Sequence, residues 1–231
     1  MTIDRQDPAF QRELYSLFRP GNLFLLQQRE RAIVRCLRVA GVTRASIGSL
    51  SMLEAGCGTG GLLPQLVSYG ADPERLSGFD TDIERIAEAR RRWPAMKFFV
   101  DDVTRLACAS QSLDVVIQST LFTSILDQDA RRVAAAELSR VLRPGGFILW
   151  FDFRYNSPRN PNVRRVTRRE IEEELFPRAT TRFVRSILVP PLARRLVPIS
   201  RLAAELLSLA PPLLTHNCAV IWPATPSRGL L

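Results

Sequence analysis

Short apolar runs alternate with segments of helical periodicity between residues 49 and 152 of the chain. Five runs have the length and composition of β-strands: residues 49–55, 76–80, 96–100, 114–119 and 147–152. The segments between them carry apolar residues three and four apart, as helices that bury one face do. Strands that alternate with helices predict right-handed crossovers and a parallel sheet covered on both faces. The sequence therefore predicts an α/β fold.

The segments outside this alternation are expected to complete a single domain, because 231 residues form one substantial core more readily than two. Residues 180–188 and 216–222 have strand character, and Thr167 to Glu170 has the pattern of a capping box that opens a helix over residues 169–176. The predicted organisation is an N-terminal helical cap (1–45), a core (46–188 and 215–223), a proline-broken helical lid (189–214) and a tail (224–231).

The charge balance is basic, with 32 Lys and Arg residues against 23 Asp and Glu residues and a formal net charge of +9. A positive field of this size suits nucleic acid, anionic lipid or an acidic substrate. It is equally consistent with a compositional bias towards arginine, because Lys97 is the only lysine. Charge alone therefore leaves the partner open.

Cysteine usage and the first residues favour a cytoplasmic protein. Cys36, Cys57, Cys108 and Cys218 form no C-x-x-C pair, which is typical of reduced, buried thiols. Acids and a proline stand where a signal peptide would have basic and then apolar residues. The sequence also contains no recognisable cluster of metal ligands.

A glycine loop directly after the first strand is the most informative motif. Gly56, Gly58 and Gly60 allow the backbone to turn sharply and a ligand to approach without meeting a Cβ atom. Gly56, Gly58 and Gly61 also satisfy the G-x-G-x-x-G pattern of nicotinamide-binding folds, so the loop alone is ambiguous. Glu54, two residues before the first glycine, suits a cationic ligand better than a pyrophosphate.

Acidic residues end the next two strands. Asp80 ends the second strand twenty residues after Gly60, where a carboxylate accepts hydrogen bonds from ribose hydroxyls. Asp101 and Asp102 end the third strand, where a carboxylate is placed to accept a bond from an adenine amino group. Three strand ends therefore converge on one ligand of the size of adenosine.

These motifs together resemble one enzyme family. LEAGCGTG, GFD, VDDV, SLDVVIQS and VLRPGGFIL follow one another in the order and spacing of class I S-adenosylmethionine-dependent methyltransferases. The resemblance is strongest to the small single-domain branch that includes the ubiquinone and menaquinone biosynthesis methyltransferases.

The resemblance implies a Rossmann-like sheet of seven mostly parallel strands in the order 3-2-1-4-5-7-6, with strand seven antiparallel. It implies S-adenosylmethionine as the cofactor, with its methionine part on the glycine loop, its ribose on Asp80 and its adenine on Asp102. It also places Gln118 and Ser119 on the path between cofactor and substrate. The residues expected at the cofactor are Glu54, Gly56, Cys57, Gly58, Thr59, Gly60, Asp80, Thr81, Asp101, Asp102, Val103, Gln118 and Ser119.

Three residues are predicted to serve catalysis. His216, the only histidine, is the favoured general base if strand seven is antiparallel, and the alternative is a histidine that merely ends a strand. Asp152 and Tyr155 follow the fifth strand, where the crevice of an open sheet lies. Asp152 has the alternative role of bracing a loop.

A small-molecule acceptor is expected, methylated on an oxygen by analogy with the nearest-looking relatives. Nucleic acid is disfavoured because QSTLFT follows the fourth strand, in place of an Asn/Asp-Pro-Pro-aromatic element. A non-catalytic binding protein and a nicotinamide-dependent oxidoreductase are the alternative functions.

The insertion over residues 189–214 has one apolar helical face, formed by Ile199, Leu202, Leu206 and Leu209. It is predicted to be a lid over a hydrophobic acceptor. The alternatives are a peripheral membrane contact, with nearby arginines facing lipid phosphates, and a helix that only packs on the sheet.

Overall fold

A computed structural model describes residues 16–156, 160–184 and 186–224. The first 15 residues of the predicted cap and the last seven of the predicted tail lie outside these ranges. The described residues fall into two compact units. The first unit comprises 16–34 and 186–215, and the second comprises 35–184 and 216–224.

The second unit is built on a seven-stranded sheet. Its strands are β1 (Met52–Ala55), β2 (Leu76–Asp80), β3 (Lys97–Val100), β4 (Leu113–Ser119), β5 (Leu142–Phe153), β6 (Thr180–Val184) and β7 (His216–Trp222). Their order is 3-2-1-4-5-7-6, and β7 is antiparallel to both β5 and β6. The predicted α/β fold and strand order are therefore confirmed.

The helices of the described residues are, in chain order, α1 (Pro20–Val39), α2 (Leu63–Tyr69), α3 (Ile83–Arg92), α4 (Leu121–Ser124), α5 (Gln128–Val141), α6 (Pro190–Leu196) and α7 (Arg201–Leu207). Short 3-10 segments lie at Ile47–Ser49, Pro73–Arg75 and Pro211–Leu213. Aspartate side chains fix two helix starts, since Asp82 accepts from the N–H groups of Glu84 and Arg85, and Asp127 accepts from that of Ala130. None of these helices is both long and apolar enough to cross a membrane.

Strand β5 begins five residues before the predicted start at residue 147. Leu142 pairs with Leu113, and the next pair joins Phe147 to Val115, so residues 143–146 form a bulge inside the strand. Gly145 within it has φ of +83°, a left-handed conformation that favours glycine. Pro144, Gly145 and Gly146 therefore shape the start of the strand.

The helix predicted over residues 169–176 is a π-helical segment over Glu170–Leu175. Half of the predicted capping box forms, because the Thr167 hydroxyl accepts from the Glu170 N–H at 3.1 Å. The Glu170 carboxylate instead accepts from the guanidinium of Arg131 at 2.6 Å. A buried ion pair therefore replaces the reciprocal bond of the capping box.

Each unit has its own core. In the second unit, apolar side chains of the sheet pack against α5, and the Phe122 and Trp150 rings lie 4.6 Å apart. In the first unit, Phe24, Leu188, Ala193 and Ala204 form a smaller buried cluster.

Candidate functional site

The carboxyl ends of β1, β2, β3 and β4 bring most of the predicted cofactor residues to one edge of the sheet. Ala55, the last residue of β1, pairs with Phe79 on one side and with Gln118 on the other. Asp80, the last residue of β2, pairs with Val100 at the end of β3. Because these strands are parallel and adjacent, the loops that follow them leave the sheet side by side.

The glycine loop after β1 has the backbone conformation that the sequence predicts. Gly56, Gly58 and Gly60 have φ values of +67°, +55° and +76°. A Cβ atom at Gly60 would lie 2.7 Å from the Phe98 ring, whereas one at Gly58 would meet nothing within 4 Å. The loop is therefore packed against Phe98 at Gly60 and open at Gly58.

Asp80 fixes the open part of this loop. Its Oδ2 accepts from the Gly58 N–H at 2.9 Å, and its Oδ1 accepts from the Asp82 N–H at 3.0 Å. Each carboxylate oxygen has a second lone pair, so Asp80 can hold the loop and accept from ligand hydroxyls together. Thr81, between these two aspartates, is exposed.

Two carboxylates make the loop electrostatically negative. Burial, together with the charges of Glu54 and Asp80, raises the pKa of the Cys57 thiol to about 12. The thiol therefore stays protonated at neutral pH and is no nucleophile. A negative field at this position favours a cation, as predicted for Glu54.

The pair of aspartates after β3 divides between two roles. Asp101 braces its own turn, because its two oxygens accept from the N–H groups of Asp102 at 2.9 Å and Ala107 at 3.0 Å. Asp102 is exposed, and its Oδ1 accepts from the backbone N–H and the hydroxyl of Thr104. These bonds, the backbone one first, lower the pKa of Asp102. Asp102 therefore presents an ionised carboxylate at the crevice, with Val103 buried behind it.

The turn after β4 is strained and contains a polar group directed inwards. Thr120 has φ of +62°, a conformation that is rare for a β-branched residue. Gln118 is fully buried, and its Oε1 accepts from the Leu121 N–H at 3.2 Å. Its Nε2 has no hydrogen-bond partner among the described residues. Ser119 follows it and is half-buried, so the turn offers polar groups beside the glycine loop.

His216 lies at the same edge of the sheet, where β7 begins beside the end of β5. It pairs with Phe153 in the register of the two strands. Its ring is stacked on Phe151 at 4.6 Å between centroids and lies 4.3 Å from that of Phe153. An imidazole between two aromatic rings is held in orientation and shielded from water.

Asp152 points to the other face of the sheet, because side chains alternate along a strand. Its side chain is fully buried, and its oxygens accept from the N–H groups of Thr123 at 3.1 Å and Phe153 at 2.8 Å. These contacts support the bracing alternative, in which Asp152 holds α4 after the strained turn. The structure therefore does not bring His216 and Asp152 together.

Tyr155, the third predicted catalytic residue, lies beyond the end of β5 and is 42% exposed. The guanidinium of Arg154 lies 5.1 Å from the centroid of its ring. A catalytic role for Tyr155 stays a prediction.

The buried carboxylate of Asp152 predicts a pH-dependent stability. Burial raises its pKa to about 7, although its N–H partners and the charge of Arg131 oppose the shift. The unfolded chain releases this proton near pH 4 and the folded chain only near pH 7, so the contribution to stability is complete at low pH and is lost as pH rises. Between about pH 5 and pH 7.5, we expect the free energy of unfolding of the parent protein to fall by roughly 2 kcal/mol more than that of the Asp152→Asn variant. Urea denaturation at each pH measures both values. Parallel pH profiles of the two proteins would contradict this account.

Arg131 and Glu170 were not among the predicted functional residues, although they support the turn that Asp152 braces. Arg131 is fully buried and also donates to the backbone oxygens of Ile125 and Arg164. The sequence does contain a signal, because Arg131 lies at helical spacing with the apolar residues 134, 135 and 138. An arginine on the buried face of a helix indicates a buried partner.

Comparisons with known proteins find similarity to methyltransferases over part of the chain. Residues 52–146 match the family model described as "Methyltransferase domain". The phthiotriol/phenolphthiotriol dimycocerosates methyltransferase of Mycobacterium tuberculosis is 32% identical over 117 residues, which are 50% of this chain and 42% of that protein. The malonyl-[acyl-carrier protein] O-methyltransferase of Enterobacter lignolyticus is 31% identical over 97 residues, which are 42% of this chain and 36% of that protein. Residues 52–146 therefore have the sequence of a methyltransferase domain.

A solved methyltransferase structure shares the fold of this chain. The S-adenosylmethionine-dependent methyltransferase of Aquifex aeolicus aligns with a TM-score of 0.58 over 94% of this chain and 98% of that chain. At 14% identity this likeness shows the fold alone. The methyltransferase domain matched over residues 52–146 implies S-adenosylmethionine as the cofactor.

The comparisons also bear on the alternative functions and on how much of each relative is matched. The two curated relatives are methyltransferases, which contradicts the nicotinamide-dependent alternative. Each match spans less than half of the relative's length. The narrower resemblance to the ubiquinone and menaquinone branch stays a prediction.

Proposed function

We propose that this chain transfers the methyl group of S-adenosylmethionine to an oxygen of a small, hydrophobic biosynthetic intermediate. The observation that carries the proposal is the convergence of the open glycine loop, Asp80 and Asp102 at adjacent strand ends. A loop that needs positive φ and leaves the Cβ position of Gly58 empty has the shape of a ligand cradle. We also propose a cytoplasmic location.

The residues present fit this cofactor. In our proposal Glu54 and the loop residues Gly56, Cys57, Gly58, Thr59 and Gly60 hold its cationic methionine part. Asp80 and Thr81 hold the ribose, and Asp102 and Val103 hold the adenine, with Asp101 bracing their turn. When bound, the sulfonium supplies an electrophilic methyl carbon. Gln118 and Ser119 line the approach of the acceptor, and the unpartnered Gln118 Nε2 is available to a ligand oxygen.

The names of the relatives support the acceptor class. One relative is named for dimycocerosate substrates and the other is named as an O-methyltransferase. An apolar wall of Phe151 and Phe153 beside His216 suits a hydrophobic acceptor. In our proposal the imidazole of His216 takes the proton that a hydroxyl group loses on methylation.

A glycine substitution tests the cradle. We expect Gly58→Ala to weaken S-adenosylmethionine binding about tenfold or more, because the new methyl group enters the space that a ligand must occupy. Isothermal titration calorimetry measures the dissociation constant. Gly145→Ala is the matched control, since Gly145 also has positive φ and an open Cβ position but lies in the bulge of β5. Equal affinities of the two variants would contradict the proposed cradle.

The proposed general-base role of His216 is tested by measuring turnover and cofactor binding separately. We expect His216→Asn to lower kcat for a hydroxyl acceptor about 100-fold and to leave the affinity for S-adenosylmethionine unchanged, because general-base catalysis contributes on that order. The measurement is kcat as a function of pH, with calorimetry of cofactor binding as the control. An unchanged kcat would remove His216 from the mechanism.

A further inference from the structure

Four apolar side chains of the first unit are exposed at helical spacing. Ile199, Leu202, Leu206 and Leu209 lie in and beside α7 and are 82%, 70%, 58% and 53% exposed. We call these four residues the leucine face. A helix of a water-soluble domain usually turns such a stripe towards its core, so an exposed one indicates an interaction surface.

Hydrogen bonds hold α7 in this orientation. Ser208 is buried on the opposite side of the helix, and its hydroxyl accepts from the Gln28 Nε2 at 2.7 Å. Gln28 is buried as well, and its Oε1 accepts from the Leu188 N–H at 2.9 Å. Turning the leucine face inwards would break these buried bonds and displace Ala204 from the small core. The outward orientation is therefore built into the unit.

The unit that carries the leucine face has a net positive charge over its described residues. The described part of the first unit carries six arginines against two glutamates. One of the two, Glu205, is neutralised by Arg31 at 3.0 Å. Arg195 and Arg201 are exposed in the same segment of the chain. Exposed apolar side chains together with exposed arginines suit a membrane surface, where anionic headgroups cover apolar acyl chains.

We propose that the leucine face docks on the surface of a membrane that contains anionic phospholipids. The apolar side chains enter the boundary between headgroups and acyl chains, and the arginines contact lipid phosphates. Residues 201–207 form only two helical turns, so the segment lies on the surface. This docking is independent of the proposed methyl transfer, because none of its residues belongs to the candidate site.

Co-sedimentation of the full chain with vesicles tests the proposal. The vesicles are phosphatidylcholine with and without phosphatidylglycerol. We expect the chain to sediment with the anionic vesicles and to be released by salt. Leu202→Ser/Leu206→Ser/Leu209→Ser should lower the bound-to-free ratio about tenfold or more. Leu126→Ser/Val133→Ser is the control, since these side chains are exposed to a similar degree in the second unit.

A second variant separates charge from apolar contact. Arg195→Glu leaves the leucine face intact and should weaken binding to anionic vesicles about fivefold or more. Equal thermal unfolding of the variants confirms that they fold.

Three results would overturn the proposal. The first is that the parent chain does not sediment with anionic vesicles, and the second is that the triple variant binds as well as its control. The third is that the parent chain forms a dimer in analytical ultracentrifugation, does not bind vesicles, and loses the dimer in the triple variant. The leucine face would then be covered by a second copy of the chain.

Discussion

Replacing Asp80 by alanine is expected to weaken S-adenosylmethionine binding about 100-fold or more. The carboxylate holds the N–H of Gly58 at 2.9 Å and is placed to accept from ligand hydroxyls as well. Hydrogen bonds to a charged group contribute roughly 1.5–3 kcal/mol each. Losing the bonds to the ligand and releasing the glycine loop therefore account together for a loss of affinity of about 100-fold. Calorimetry on the folded variant measures it.

A surface aspartate provides the control for this experiment. Asp129 lies in the first turn of α5, has an 87% exposed side chain and pairs with Arg132. Asp129→Ala removes one negative charge from the protein without touching the crevice, so its affinity for S-adenosylmethionine should equal that of the parent. If Asp80→Ala also retains the parent affinity, the ribose assignment is wrong.

Replacing Arg131 by alanine is expected to destabilise the fold by about 3 kcal/mol or more. Arg131 is fully buried and pairs with Glu170 at 2.6 Å, and it satisfies the backbone oxygens of Ile125 and Arg164. Without Arg131, the buried carboxylate of Glu170 keeps only Arg164 as a cationic partner. The side chain of Arg164 is itself 40% exposed. Urea denaturation measures the loss as a lower midpoint at unchanged slope.

Two further variants assign the cause of this loss. Arg132, the next residue, has a half-exposed side chain, and Arg132→Ala should change the free energy of unfolding by less than about 0.5 kcal/mol. Arg131→Met/Glu170→Leu removes both charges and should recover part of the stability, because no ion is then left unpaired. A loss for Arg131→Ala no larger than that for Arg132→Ala would show that the buried pair is unimportant.

The cofactor edge was predictable from the sequence because its geometry depends on local signals. The glycine loop and Asp80 each follow a recognisable strand, and parallel strands bring their carboxyl ends to one edge. The strand order came from the family resemblance, since no local pattern specifies which strands become neighbours. Order and direction are confirmed.

The contacts across the sheet were not predictable in the same way. The sequence predicted catalytic roles for both His216 and Asp152 without saying whether they share a face, and the register of β5 and β7 places them on opposite faces. Alternation along a strand is known in advance, whereas register between distant strands is set by tertiary packing. Likewise, Cys36 and Cys218 are 182 residues apart in sequence, and their Sγ atoms lie 3.3 Å apart in the second unit.

The insertion shows a different limit of periodicity. The apolar residues that the spacing assigned to one helical face are all exposed, although α7 contains only Leu202 and Leu206 of them. The spacing gave no direction for that face. The buried bond between Gln28 and Ser208 decides the direction, and it joins segments far apart in the chain. Whether the segment serves as a lid stays a prediction.

We propose that this chain binds S-adenosylmethionine at the edge formed by the glycine loop and Asp80. Isothermal titration of the purified chain, first with S-adenosylmethionine and separately with a nicotinamide dinucleotide, tests it most directly. We predict saturable heat with S-adenosylmethionine, at one molecule per chain, and none with the dinucleotide. A folded chain that gives no heat with S-adenosylmethionine, or that binds only the dinucleotide, would contradict the account.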